Sequence, residues 1–233
     1  MSTGSLSYQG LADGTSHTYK FYSRGRDGSG NVEAAPASAD VTVTATFASL
    51  SLTATGIDVQ NGARERSYVR YLDVLFSNAT GLNALLAAGR VVVERFAIDA
   101  ASVAPGTGTL VPVSSMMQNG NKLQLDFGAS GIGGVNAAGN GFYRVRIDVD
   151  GNSSFTDTAD GAFEFHRLFG DATGNGIVDV ADTNLVTSQI GRSGLYLDGD
   201  LDGNGVVNST DRLFSTQQRG KKLLDSMLGW LDD

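Results

Sequence analysis

Alternation of apolar and polar residues recurs along most of this chain in short runs separated by Gly, Asn and Asp, the pattern of half-buried β-strands joined by turns. The alternation predicts strands over residues 5–11, 17–24 and 40–45, with Tyr19 and Phe21 on one side of the second. Further strands are predicted over 50–54, 67–76, 89–96, 122–127, 141–149 and 162–166. The 67–76 run is the strongest, with Tyr68, Arg70, Leu72, Val74 and Phe76 on one face. A short helical turn is expected over 82–88, and Asn119-Gly120 marks a hairpin. The fold class that follows is mainly β: antiparallel sandwich layers of Ig-like or fibronectin-like type.

The alternation stops near residue 169, and a different pattern is then written twice. Residues 171–182 and 200–211 are twelve-residue loops twenty-nine positions apart, each followed by a helix-compatible run. A calcium loop of this length draws oxygen ligands from positions 1, 3, 5, 7, 9 and 12, with position 7 contributing its backbone carbonyl. The first loop offers Asp171, Thr173, Asn175, Ile177, Asp179 and Asp182; the second offers Asp200, Asp202, Asn204, Val206, Asn208 and Asp211. Gly176 and Gly205 fill position 6, where the chain must turn sharply around the ion. Val178 and Val207 at position 8 are expected to pair as short strands that lock the loops back to back. Two calcium ions are therefore expected. The second loop is the stronger, because it is acidic at positions 1, 3 and 12 while the first has neutral Thr173 at position 3. Asp rather than Glu at position 12 points to an extracellular calcium regime. A plain Gly/Asp/Asn turn would satisfy one copy, but the fixed offset of two copies argues against it.

The loop pair, over about 169–220, resembles a dockerin. Gly170-Asp171 and Gly199-Asp200 open the repeats, one helix follows each loop, and neither loop has a helix of EF-hand type before it. The resemblance implies a cohesin-like partner contacted through loop positions 10 and 11, here Val180-Ala181 and Ser209-Thr210. Only the second pair matches the common Ser-Thr. The alternative is that the module caps its own upstream domain.

Residues 1–46 resemble the closing half of a fibronectin type III module, most clearly over 18–33. Its opening strands do not occur in this chain. A few strands bury only one face, so a second layer is expected either from a longer protein or from another copy, and the latter builds filaments. The expected organisation is 1–46 partial fibronectin-like strands, 47–166 an Ig-like sandwich, 167–220 the dockerin-like calcium module, and 221–233 an amphipathic helix. The tail of the sandwich and its junction at 165–171 resemble bacterial cell-surface proteins that carry a dockerin-like end directly after a sandwich.

Composition narrows the function. The chain of 233 residues has a net charge of -8, so a nucleic-acid partner is not expected. It has no cysteine, which excludes disulfides and thiolate metal sites. No apolar run has the length of a membrane span. The two histidines, His17 and His166, have no nucleophile at useful spacing, so catalysis is not expected and His166 reads as a packing or hydrogen-bonding residue. Asp148, Asp150, Asp157 and Asp160 could hold a further calcium, though acidic turns are usually only solvated. The expectation is a non-catalytic, extracellular or cell-surface, calcium-binding structural protein that assembles with copies of itself. The alternative is the docking end of a larger secreted enzyme with a cohesin-like partner.

Overall fold

The alternating runs form strands, and the strand pairings described here are antiparallel. The computed structural model describes residues 8, 10, 15–47, 52–82, 85, 89–100, 102–150, 154–155 and 160–225. The chain divides into two units, Met1–Ser51 with Asp150–Asn152, and Leu52–Val149 with Ser153–Asp233.

In the first unit, β1 (Ser16–Phe21) pairs with β2 (Val41–Thr46). The register sets Tyr19 opposite Val43 and Phe21 opposite Val41, so one face is apolar, while Thr18, Lys20, Thr42 and Thr44 line the other. The ring of Tyr8 packs edge-on against Tyr19 and Phe21. Apart from Tyr8 and Gly10, the strand expected over 5–11 lies outside the described residues.

In the second unit, β3 (Ala54–Val59), β4 (Tyr71–Phe76), β5 (Val91–Phe96), β6 (Thr109–Leu110), β7 (Ser115–Asn119), β8 (Lys122–Asp126), β9 (Gly141–Ile147) and β10 (Gly161–Arg167) form two four-stranded sheets. Their orders are β3-β4-β8-β7 and β10-β9-β5-β6. Leu72, Val74, Phe76, Leu123 and Leu125 are buried from one sheet, and Val93, Tyr143, Val145 and Ile147 from the other. On the opposite side of β9, Arg146 makes a bidentate ion pair with buried Glu94 of β5. Phe142 on that side forms a separate apolar cluster with Phe96, Val103 and Leu223.

One expectation changes and two fall partly outside the described residues. The strand predicted over 67–76 begins only at Tyr71, because two side chains take the backbone donors that a neighbouring strand would use. Gln60 Oε1 accepts the N–H groups of Arg70 and Tyr71, and Glu65 Oε2 accepts those of Ser67 and Tyr68. Of the strand expected at 50–54, residues 50–51 lie outside the described residues, and a strand over Ala54–Val59 pairs with β4. Of the helix expected over 221–233, residues 226–233 lie outside the described residues. Lys222 pairs with Ile177 in an isolated β-bridge.

Two helices complete this unit among the described residues, α1 (Val180–Gln189) and α2 (Ser209–Gln217). Each starts with a reciprocal capping box, Asp179 with Asp182 and Asn208 with Asp211. Loop positions 9 and 12 thus also serve as the helix N-cap and its third residue. Ala172, Val186, Leu201 and Val207 form the small core beneath the helices.

Candidate metal centre

The second loop brings its acidic residues together: carboxylate oxygens of Asp200, Asp202 and Asp211 lie within 4.8 Å of one another. Backbone donors hold them there. Asp200 accepts the N–H groups of Asn204 and Gly205, and Asp211 accepts those of Leu201 and Asn208. Asn204 Oδ1 accepts the Val206 N–H, closing the turn at positions 5 to 7. Gly205 has φ of 84°, the left-handed region in which a side chain is disfavoured.

Burial pushes Asp200 up to about 6; the Gly205 N–H opposes the shift, and Asp202 and Asp211 add to it. Asp211 is also raised, chiefly by burial. Ionising this cluster without a cation is therefore unfavourable. The oxygen-only donor set of carboxylates, the Asn204 and Asn208 amides and the Val206 carbonyl fits a hard divalent cation. When bound, such an ion would supply the positive charge that offsets the buried carboxylates, with Asp200, Asp202, Asn204, Val206, Asn208 and Asp211 as the residues that hold it.

The first loop is arranged differently. Asp171 accepts the N–H groups of Gly174, Asn175 and Gly176, while Asp182 Oδ1 accepts those of Ala172 and Thr173. The Thr173 hydroxyl lies between the two carboxyls, 3.0 Å from Asp182 Oδ1 and 3.4 Å from Asp171 Oδ1. Asp179 caps α1 and Asn175 accepts the Ile177 N–H. Burial raises Asp182, and Asp171 adds to that shift. His166 Nε2 lies 2.9 Å from Asp171 Oδ2, with both side chains buried. The histidine is thus a hydrogen-bonding neighbour of the first position of this loop, where it orients one carboxylate oxygen.

Val178 and Val207 do not pair with each other. The Val178 N–H donates to the Lys221 carbonyl and the Gly220 N–H to the Val178 carbonyl; equivalently, Val207 pairs with Arg192 and Gly191. Each loop is tied to the chain leaving the other repeat's helix. A strand pairing needs two extended segments side by side, and the segments after the helices fill that role.

Sequence reasoning missed residues 64–68, which lie against both loops. The Arg64 N–H donates to Asp198 Oδ1, the Arg66 N–H to the Asp171 carbonyl, and the Ser67 hydroxyl to the Leu201 carbonyl. The sequence signal for them is slight: Arg64, Glu65 and Arg66 form a charged run immediately before a segment that reads as a strand. Asp148 is buried, and Asp160 Oδ1 accepts the Val149 N–H at 3.2 Å; Asp157 lies outside the described residues.

The fold and loops define a mainly β, antiparallel chain that carries a tandem acidic loop–helix pair. No protein-family model, no curated protein and no solved structure matches it.

Proposed function

We propose that this chain is a non-catalytic, calcium-stabilised structural protein of the cell surface or extracellular space, built from an Ig-like sandwich and a dockerin-like loop pair. The observation that carries the calcium reading is the convergence of Asp200, Asp202 and Asp211 in the second of two like-spaced loops. The two four-stranded sheets with buried faces support the sandwich. Calcium would add folding free energy to the repeats, because the acidic loops are hard to close while they are charged and unpaired.

Assembly with copies of itself is the favoured role. Val41 and Val43 on the apolar face of β1 and β2 remain 52% and 43% exposed, and a fibronectin-like layer from another chain would cover them. The second reading, a docking end for a cohesin-like partner, is favoured by the exposure of Val180, Ala181, Ser209 and Thr210 at loop positions 10 and 11.

Calorimetric titration with calcium, and separately with magnesium, tests the metal. Two calcium sites are expected, and an absence of binding at millimolar calcium sinks the reading. Light scattering with and without a chelator separates the roles: assemblies that dissolve on chelation support self-association, and a monomer in both conditions favours a separate partner.

A further inference from the structure

Residues 64–68 hydrogen-bond to a backbone carbonyl near the start of each loop and pack against the glycine at the fourth position of both. The Arg66 N–H donates to the carbonyl of Asp171, the first position of the first loop, and the Leu168 N–H returns to the Arg66 carbonyl, each at 2.8 Å. Ser67 Oγ donates to the carbonyl of Leu201, the second position of the second loop, and accepts the Gly170 N–H, each at 3.0 Å. The fourth position of each loop is glycine, and both are filled from this segment. A Cβ on Gly174 would collide with the Arg64 carbonyl, and one on Gly203 would collide with the Tyr68 ring. These glycines therefore allow close approach as well as turning.

The segment is itself firmly held. Glu65, 2% exposed, accepts the Ser67 and Tyr68 N–H groups, and the Tyr68 hydroxyl donates to the Ala129 carbonyl. Gln60 fixes its far end to the start of β4. A cavity of about 150 Å³ beside it is lined by Glu65, Tyr68, Asp200 and Gly203 among others, so the segment and the second loop share one wall.

We propose that residues 64–68 are an intramolecular receptor for the two loops, so that calcium occupancy and attachment of the loop–helix repeats to the sheets form one coupled equilibrium. The proposal rests on the calcium reading above. A closed loop presents Asp171 O, Leu201 O and the two glycines in the arrangement this segment fits, and an opened loop does not. By linkage, a segment that prefers the closed loops must raise their affinity for the ion by the same factor that the ion strengthens the junction. Arg64, Ser67 and Tyr68 donate no oxygen to the loops' ligand sets; they are positioning residues.

The test compares calcium titrations of the full chain with those of its Ser67→Ala and Tyr68→Ala variants, together with amide hydrogen exchange of the unaltered chain. The expected result is calcium affinity lowered roughly 5- to 100-fold in the variants. In the unaltered chain, calcium is expected to slow exchange at the Arg64 and Arg66 amides as well as within the loops. Exchange there needs no variant, so the outcome is decided even if a substitution prevents folding. Equal affinity in folded variants overturns the proposal, as does calcium protection confined to the loops. If the unaltered chain binds no calcium, the metal reading fails, and the coupling fails with it.

Discussion

Asn140 Oδ1 accepts hydrogen bonds from Arg167 Nη1 at 3.0 Å and from the Phe169 backbone N–H at 2.8 Å. One amide oxygen thus ties the end of β10 to the start of the first repeat. Arg167 is fully buried, and its remaining contacts include the carbonyls of Asn136 and Gly134. Burial lowers its pKa to about 10, still well above neutrality, so a charged guanidinium sits inside the unit. Asn140→Ala would leave that charge and a buried N–H short of an acceptor. The expected loss is about 3 kcal/mol in urea unfolding; a change within error would show that water replaces the oxygen.

Removing a ligand should act differently from removing a support. Asp200→Asn and Asp211→Asn each take one negative charge from the second loop, and calcium affinity there is expected to fall roughly tenfold or more. The same substitution at Asp182 should weaken only the first site. Calorimetry of the three variants reads this directly, and an unchanged second site in Asp211→Asn contradicts the ligand assignment.

Metal-free stability should fall as pH rises. Burial raises Asp200 from 3.8 to about 6 and Glu65 from 4.5 to about 8. Between these paired values the folded chain holds protons that the unfolded chain has released, so stability is lost from about pH 4 upward and levels off above pH 8. Glu65→Gln keeps an oxygen for the Ser67 and Tyr68 N–H groups but cannot ionise. Its metal-free Tm at pH 8 should exceed that of the unaltered chain by roughly 10 °C, with little difference at pH 4. Thermal melts in chelator across this range check the sign.

Leu223 is fully buried against Phe96, Phe142 and Val103, on the side of the sheet where Arg144 and Arg146 also lie. Its N–H donates to the Gly176 carbonyl, which joins this cluster to the first loop. Leu223→Ala should cost about 2–5 kcal/mol by opening a cavity. Chemical unfolding measures the loss, and a value below 1 kcal/mol would mean that the neighbours collapse into the space.

The periodicity made most strands legible, because a strand that buries one face must alternate, whatever it packs against. It failed at 67–70, which reads as the start of the long strand but where Gln60 and Glu65 accept the backbone N–H groups of Ser67, Tyr68 and Arg70. That arrangement depends on two side chains arriving from outside the run, which no period records. The loop candidates were readable for the opposite reason: all six candidate positions of each loop are close neighbours in the chain, at the fixed offsets of a twelve-residue calcium-loop pattern.

The sequence by itself determined the mainly β character, the two twelve-residue loops and the helix after each. Those are local consequences of side-chain alternation, glycine geometry and capping. Only the tertiary structure decided that Val178 pairs with the chain after α2 and Val207 with the chain after α1, that His166 meets Asp171, and that residues 64–68 lie against both loops. Each of these joins segments through hydrogen bonds or contacts whose partners depend on the path of the intervening chain, and that path is set by the packing of the whole unit.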